Sequence, residues 1–229
     1  MTLREFIAKH KVDIDQQFLD IAVDGLERMK KSGLSDHNEK HIYDIFGDLE
    51  EMIERVGMEK FENIDWNVFL PALCWHDAWK ATRKTTKNLL LFKWEQLWDG
   101  KGSQLLFRKY LRKKRIRGLK ATKISDTIYF HAPIRQFFWR KKERWAWSEG
   151  KLLRDLDGLQ IWNMKRYLRM KQEHINEDYT FKNPRYLKLG KWIYKKFMKS
   201  HEDKYLFYAW TREVFDIRKH AVLKEAEKL

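Results

Sequence analysis

An almost entirely apolar stretch, WNVFLPALCW at residues 66–75, runs directly into His76 and Asp77. Such a stretch predicts a helix at the centre of the molecule, which we extend to about residue 80. Ionisable side chains in a buried position are costly unless they are paired or bind a metal ion. The chain must therefore fold so that His76 and Asp77 find partners in the interior.

The rest of the chain favours helices over strands. Only 3 prolines and 10 glycines occur among 229 residues, and no strand–turn–strand alternation is present. Apolar residues recur instead at helical spacing. Helices are predicted over residues 13–30, 37–56, 103–117, 123–138 and 148–171. We predict an all-α fold, with a helical bundle over residues 1–165 and a helical C-terminal extension, residues 166–229, packed on it or continuing it.

The composition restricts the partners and the compartment. The net charge of +15 at pH 7 favours an anionic partner. Cys74 is the single cysteine, so the chain has no intramolecular disulfide and no cysteine-based zinc site. The first residues, MTLREFIAKHKVDIDQQF, carry charges throughout and do not resemble a signal peptide, and no apolar run is long enough to span a bilayer. We expect a cytoplasmic protein without a membrane partner.

Two further ionisable side chains lie on stretches that are predicted to be partly buried helices. They are His41, in HNEKHIYDIF, and Asp157, in LLRDLDGL. Together with His76 and Asp77 they form a mixed imidazole and carboxylate set, which Mn²⁺, Fe²⁺, Co²⁺, Ni²⁺ or Mg²⁺ accepts. Neighbouring side chains on a helix point about 100° apart, so His76 and Asp77 share an ion only where a helix end turns both toward it.

In this order, the residues resemble the pattern of the HD-domain superfamily of metal-dependent phosphohydrolases: a His, a His-Asp doublet and a distal Asp. HDAWK resembles the family's His-Asp-x-x-Lys, DLDGL resembles its Asp-Ala-Asp-x-Leu segment, and His37-x3-His41 is similar to its opening histidines. The resemblance covers roughly residues 14–165 and implies an HD-domain-like helical bundle. It also implies a phosphohydrolase that acts on a nucleotide or another small phosphoester. The implied metal ligands are His41, His76, Asp77 and Asp157.

The chain departs from the family at the second metal position. Family members that hold two metals use additional histidines between the doublet and the distal Asp. His131 resembles one of them and is a candidate for a second metal, proton transfer, substrate contact or a satisfied buried histidine. The other usual position falls at GSQLLF, around Ser103, which favours one metal or a weaker second one. Asp155 is expected to cap a helix or face solvent.

Basic side chains follow the doublet and are candidates for binding substrate phosphates, since cations beside a metal hold phosphate oxygens. A solvated loop explains them equally well. The predicted phosphate-binding residues are Lys80, Arg83, Lys84 and Lys87. The predicted catalytic residues are Asp77, His131 and Lys80. The dense basic run at residues 108–120 fits a lid over an anionic substrate, a nucleic-acid patch or a solvated helix face.

Two other functions remain open. One is a nucleic-acid-binding protein or nuclease that uses the basic helices, for which strongly salt-dependent binding would be the mark. The other is a degenerate HD fold that serves as an interaction module. That hypothesis predicts no bound metal and no loss of function in a His76→Ala variant.

Overall fold

Helical periodicity and capping residues produce an all-α fold in the computed structural model. The structure describes residues 1–32, 38–82, 89–131, 147–160, 162–175 and 206–226. These residues form nine α-helices and two short 3-10 helices, Met58–Phe61 and Lys80–Thr82, with no strand among them. The α-helices are α1 Leu3–His10, α2 Gln16–Lys30, α3 Glu39–Val56, α4 Trp66–Trp75, α5 Leu89–Lys114, α6 Leu119–Phe130, α7 Ser148–Gln160, α8 Met164–Ile175 and α9 Ala209–Ala226. The predicted fold class is confirmed.

Helix α4 is the central helix of the fold, as the apolar stretch predicted. Residues 68–75 are all buried, and α4 packs against α2, α6 and α7. Against α2 the approach is close because Gly25 presents no side chain to Trp75. The Trp75 indole Nε1 donates a hydrogen bond to the Ile21 carbonyl across this contact, at 2.8 Å. The end of α4 is thereby fixed in the interior.

Several helix boundaries differ from the sequence predictions. Helix α5 begins at Leu89 rather than at residue 103, and α6 begins at Leu119 rather than at residue 123. Helix α4 ends at Trp75 rather than near residue 80, and residues 76–79 continue as turns. The predicted helix over 148–171 is two helices, α7 and α8, with the buried Trp162 between them. Asn163 begins α8, since its side-chain oxygen accepts a hydrogen bond from the Arg166 backbone N–H at 3.1 Å. This break turns α8 back toward the start of α3.

The C-terminal helix α9 packs on α3, α7 and α8. Arg218 of α9 donates to Asp48 at 2.8 Å and to Glu51 at 2.7 Å, both on α3. The predicted division of the chain at residue 165 stays a prediction, although the described part of the extension lies against the helices that precede it. Among the described residues, no helix combines the length and hydropathy needed to cross a membrane.

Candidate metal centre

Three separate parts of the fold bring His41, His76, Asp77 and Asp157 together. His41 lies in the first turn of α3, whose N-cap Asn38 accepts a hydrogen bond from the Lys40 backbone N–H. His76 and Asp77 follow the last residue of α4, so the helix end turns both side chains to the same side. Asp157 comes from the second half of α7.

The ligating atoms of these four residues form a tight group. His41 Nε2 lies 3.2 Å from Asp157 Oδ1, 3.3 Å from His76 Nε2 and 3.6 Å from Asp77 Oδ2. His76 Nε2 lies 3.5 Å from Asp77 Oδ2 and 3.9 Å from Asp157 Oδ1. Metal–ligand bonds of about 2.1 Å place neighbouring ligand atoms roughly 3.0 to 3.4 Å apart. The spacing therefore fits a divalent ion after a contraction of a few tenths of an ångström.

The cluster is buried on one side and open on the other. The side chains of His41 and His76 are fully buried and that of Asp77 exposes 1%, whereas Asp157 exposes 21% of its side chain. Among these four side chains, Asp157 is therefore the one that solvent reaches.

Burial favours the neutral form of both histidines, and metals bind neutral imidazole. The tautomer suits metal binding through Nε2 at His76 only, because the Arg166 guanidinium donates to His41 Nδ1 and leaves the proton of that neutral ring on Nε2. The Nδ1–H of His76 donates to the Leu73 carbonyl at 2.7 Å, which leaves the lone pair on Nε2 facing the cluster. Burial lowers the pKa of His76. Burial, and next the guanidinium of Arg166, lower the pKa of His41 to about 3, against the opposite effect of Asp157. The Arg166 Nη1 atom lies 3.3 Å from His41 Nδ1.

The carboxylate of Asp157 stays ionised. Burial by itself would raise its pKa, but the hydrogen bond from His41 and the field of His76 lower it below the ordinary value. An ionised carboxylate beside two neutral imidazoles is a donor set that divalent transition-metal ions accept.

A second group of ligand atoms adjoins the first through Asp77. Asp77 Oδ1 faces His131 Nε2 at 3.7 Å, and His131 Nε2 lies 3.6 Å from Asp99 Oδ2. The Nδ1–H of His131 donates to the Ile128 carbonyl at 2.6 Å, so its Nε2 atom faces the two carboxylates. Burial alone would lower the pKa of His131, but the neighbouring carboxylates of Asp77 and Asp99 raise it to about 10. Three overlapping sets of buried histidines and aspartates, among the described residues, could hold a metal ion.

Asp99 was not among the predicted site residues. The second metal position was predicted at Ser103, one turn further along α5. Ser103 Oγ instead accepts a hydrogen bond from the Trp79 backbone N–H at 3.0 Å. Asp99, Ser103, Phe107 and Leu111 are all buried and recur every fourth residue. That stripe was the signal that could have identified Asp99 as an inward-facing carboxylate.

Arg166 was also missed. It lies at the boundary of the predicted extension, and nothing in its local sequence indicates that α8 folds back onto His41. Only the break between α7 and α8 brings it there.

The remaining candidates have different positions. Lys80 lies at the cluster, but its ammonium contacts Asp77 Oδ1 at 3.0 Å and Asp99 Oδ2 at 2.7 Å. Its role in binding substrate phosphates stays a prediction. Asp155 points away and caps α9: it accepts hydrogen bonds from the Phe207 and Tyr208 backbone N–H groups and from the Thr211 hydroxyl. His37, Arg83, Lys84 and Lys87 lie outside the described residues.

The chain matches no protein-family model, no curated protein and no solved structure. What the fold and the site define is an all-α protein with a buried cluster of histidines and aspartates that could bind a metal ion. The resemblance to the HD-domain superfamily rests on the residues and their arrangement alone.

Proposed function

We propose that this protein is an HD-type metal-dependent phosphohydrolase that acts on a nucleotide or another small phosphoester. The observation that carries the proposal is the convergence of His41, His76, Asp77 and Asp157, from three separate stretches of the sequence, at separations of 3.2 to 3.9 Å. The HD pattern requires this set in this order. An unrelated set of polar core residues would not be expected to bring all four ligating atoms to one point.

The chemistry follows from the donor set. When bound, a divalent cation lowers the pKa of its water and polarises a phosphoryl oxygen. His41, His76, Asp77 and Asp157 would hold it, and the partly exposed Asp157 marks the side from which the phosphoester enters.

His131 is the residue best placed to move a proton. Its Nε2 atom faces Asp77 and Asp99, whose carboxylates favour the protonated ring at neutral pH. It would donate that proton to the leaving oxygen of the substrate, which is general-acid catalysis.

The first test is elemental analysis of the purified protein, with His76→Ala as the matched variant. We expect a divalent transition metal near one equivalent in the native protein and none in the variant. A native protein that contains no metal, and that fails to bind added Mn²⁺, would refute the metal-dependent mechanism.

The second test is hydrolysis of a panel of nucleotides and simple phosphomonoesters with the metal identified in the first. Asp77→Ala should lose both metal and hydrolysis while its helical content, measured by circular dichroism, stays the same. Retained hydrolysis in Asp77→Ala would refute the metal-dependent mechanism, whatever the fold of the protein is.

One observation favours a second function, nucleic-acid binding. The C-terminal end of α5 and the turn to α6 carry exposed basic side chains for which no ion pair occurs among the described residues. They are Lys109, Arg112, Lys113, Arg115 and Arg117. Binding of a single-stranded oligonucleotide that weakens steeply with salt, and that these residues but not His76 support, would establish this function.

A further inference from the structure

The ammonium of Lys80 lies where the second group of ligand atoms converges. Its Nζ atom contacts Asp77 Oδ1 at 3.0 Å and Asp99 Oδ2 at 2.7 Å, and only 13% of the side chain is exposed. The two carboxylate oxygens of Asp77 thus have different neighbours: Oδ2 faces His41 and His76, and Oδ1 faces Lys80. The carboxylate lies between a candidate metal position and a permanent cation.

The same oxygens belong to a candidate ligand set. Asp77, Asp99 and His131 each offer one ligand atom, and these atoms lie within 4.8 Å of one another. Among the described residues, His131 Nε2 and Asp99 Oδ1 are fully buried and have no hydrogen-bond partner. If a metal ion displaced its proton, this buried ring nitrogen beside two carboxylates would be a cation ligand.

The local structure holds the ammonium in this place. Lys80 begins the 3-10 turn Lys80–Thr82, three residues after Asp77, so both side chains point to the same side. Trp79 fixes this turn against α5, because its backbone N–H donates to Ser103 and its ring lies against Gly102. A Cβ atom at Gly102 would lie 2.4 Å from the Trp79 ring.

We propose that the Lys80 ammonium occupies the position of a second metal ion, so that the centre holds one metal and the chain itself supplies the other cation. The proposal rests on the metal centre of the proposed function and assigns Lys80 to Asp77 and Asp99 rather than to the substrate. Removing the ammonium should open a second metal site made of Asp77, Asp99 and His131.

The experiment counts metal ions in Lys80→Ala and in the native protein, each stripped with a chelator and titrated with Mn²⁺ by isothermal calorimetry and electron paramagnetic resonance. We expect Lys80→Ala to bind one more equivalent than the native protein. Ions that share Asp77 as a bridging ligand should also give the spectrum of a coupled Mn²⁺ pair. The gained equivalent should disappear when Asp99→Asn or His131→Ala is added to Lys80→Ala.

Lys120→Ala is the matched control, because it removes a lysine from an ion pair with Asp65, at 3.4 Å, away from the cluster. It should bind as many ions as the native protein. The additional Mn²⁺ equivalent in Lys80→Ala tests this proposal, whereas the number of ions bound by the native protein tests the proposed function. A metal-free native protein beside a one-metal Lys80→Ala would refute the proposed function and support the role of Lys80.

Two results would overturn the proposal. One is a native protein that already binds two ions with Asp99 as a ligand. The other is a Lys80→Ala variant that binds no additional ion, although its circular dichroism shows native helical content. Where Lys80→Ala fails to fold, Asp99→Asn in the native background decides: it should leave the metal count unchanged, and loss of the metal would refute the proposal.

Discussion

Adding one methyl group at Gly25 should destabilise the protein, whereas the same change at Gly47 should stabilise it. Both glycines are in helix interiors, Gly25 in α2 and Gly47 in α3. At Gly25 a Cβ atom would lie 2.6 Å from Trp75 Cδ1 and 2.9 Å from the Cys74 carbonyl oxygen, but at Gly47 it would meet nothing within 4 Å. The pair therefore separates the effect of packing from the effect of helix propensity.

The magnitudes follow from the structure. Replacing glycine by alanine in a helix interior contributes about 0.5 to 1 kcal/mol of stability, and Gly47→Ala should gain that amount. Gly25→Ala makes the same gain but forces the Trp75 ring aside. Overpacking costs about 1 to 3 kcal/mol, and losing the hydrogen bond from Trp75 to Ile21 costs about 1 kcal/mol more. The net loss in Gly25→Ala is about 2 kcal/mol.

Thermal unfolding followed by circular dichroism measures both variants. For a chain of this size, about 1 kcal/mol shifts Tm by roughly 2 to 4 °C. We expect Tm to fall by about 4 to 8 °C in Gly25→Ala and to rise by about 1 to 4 °C in Gly47→Ala. Since Trp75 precedes His76, Gly25→Ala should also weaken metal binding. Equal Tm values in the two variants would refute the close α2–α4 contact that positions the site.

Three further predictions concern protonation, capping and the thiol. In the metal-free protein, His41 should make stability fall by about 1.4 kcal/mol per pH unit below about pH 6.5, because the unfolded chain protonates this ring while burial and Arg166 lower its native pKa to about 3. The lowered pKa of His76 should steepen the fall, and a denaturant titration series should show a flatter acid slope in His41→Asn. Asp155→Ala should lower stability by about 2 kcal/mol, since the donors at the start of α9 lose a buried acceptor, and Asp155→Asn should lose less, as measured by Tm. Cys74 is fully buried, and burial raises the pKa of its thiol. A chromogenic disulfide reagent should therefore label it only as fast as the protein unfolds. Rapid labelling in native buffer would contradict the burial of α4.

Helix content was predictable from this sequence because apolar periodicity and low proline and glycine content are local signals. Helix α2 begins within three residues of the predicted start and ends at the predicted residue. The ends of α4 and α7 were not predictable, because both depend on what the following residues contact. After Trp75 the chain turns so that His76 and Asp77 face His41, and the chain after Gln160 turns around the buried Trp162.

The four proposed metal ligands could be predicted because they belong to a pattern with a fixed order. Asp99 and Arg166 belong to no such pattern, and only the tertiary structure brings them to the cluster. The partner of Lys80 was likewise not predictable from the sequence. The position of Lys80 after the doublet was visible in the sequence, but the identity of its partner, Asp99 on a helix that begins later in the chain, was not.

The charges of the cluster argue for one metal rather than two. Three carboxylates and three cationic side chains lie in or beside the cluster, and with His131 protonated these charges cancel. They are Asp77, Asp99 and Asp157 on one side and Lys80, His131 and Arg166 on the other. Buried charge is tolerated only when it is compensated, so the cluster is balanced without a metal. One divalent cation adds two positive charges, which the two negative charges of a phosphate monoester would cancel. Two divalent cations beside Lys80 would leave two positive charges uncompensated. Under the proposed function, this balance favours a centre that binds one metal ion and one phosphate dianion together.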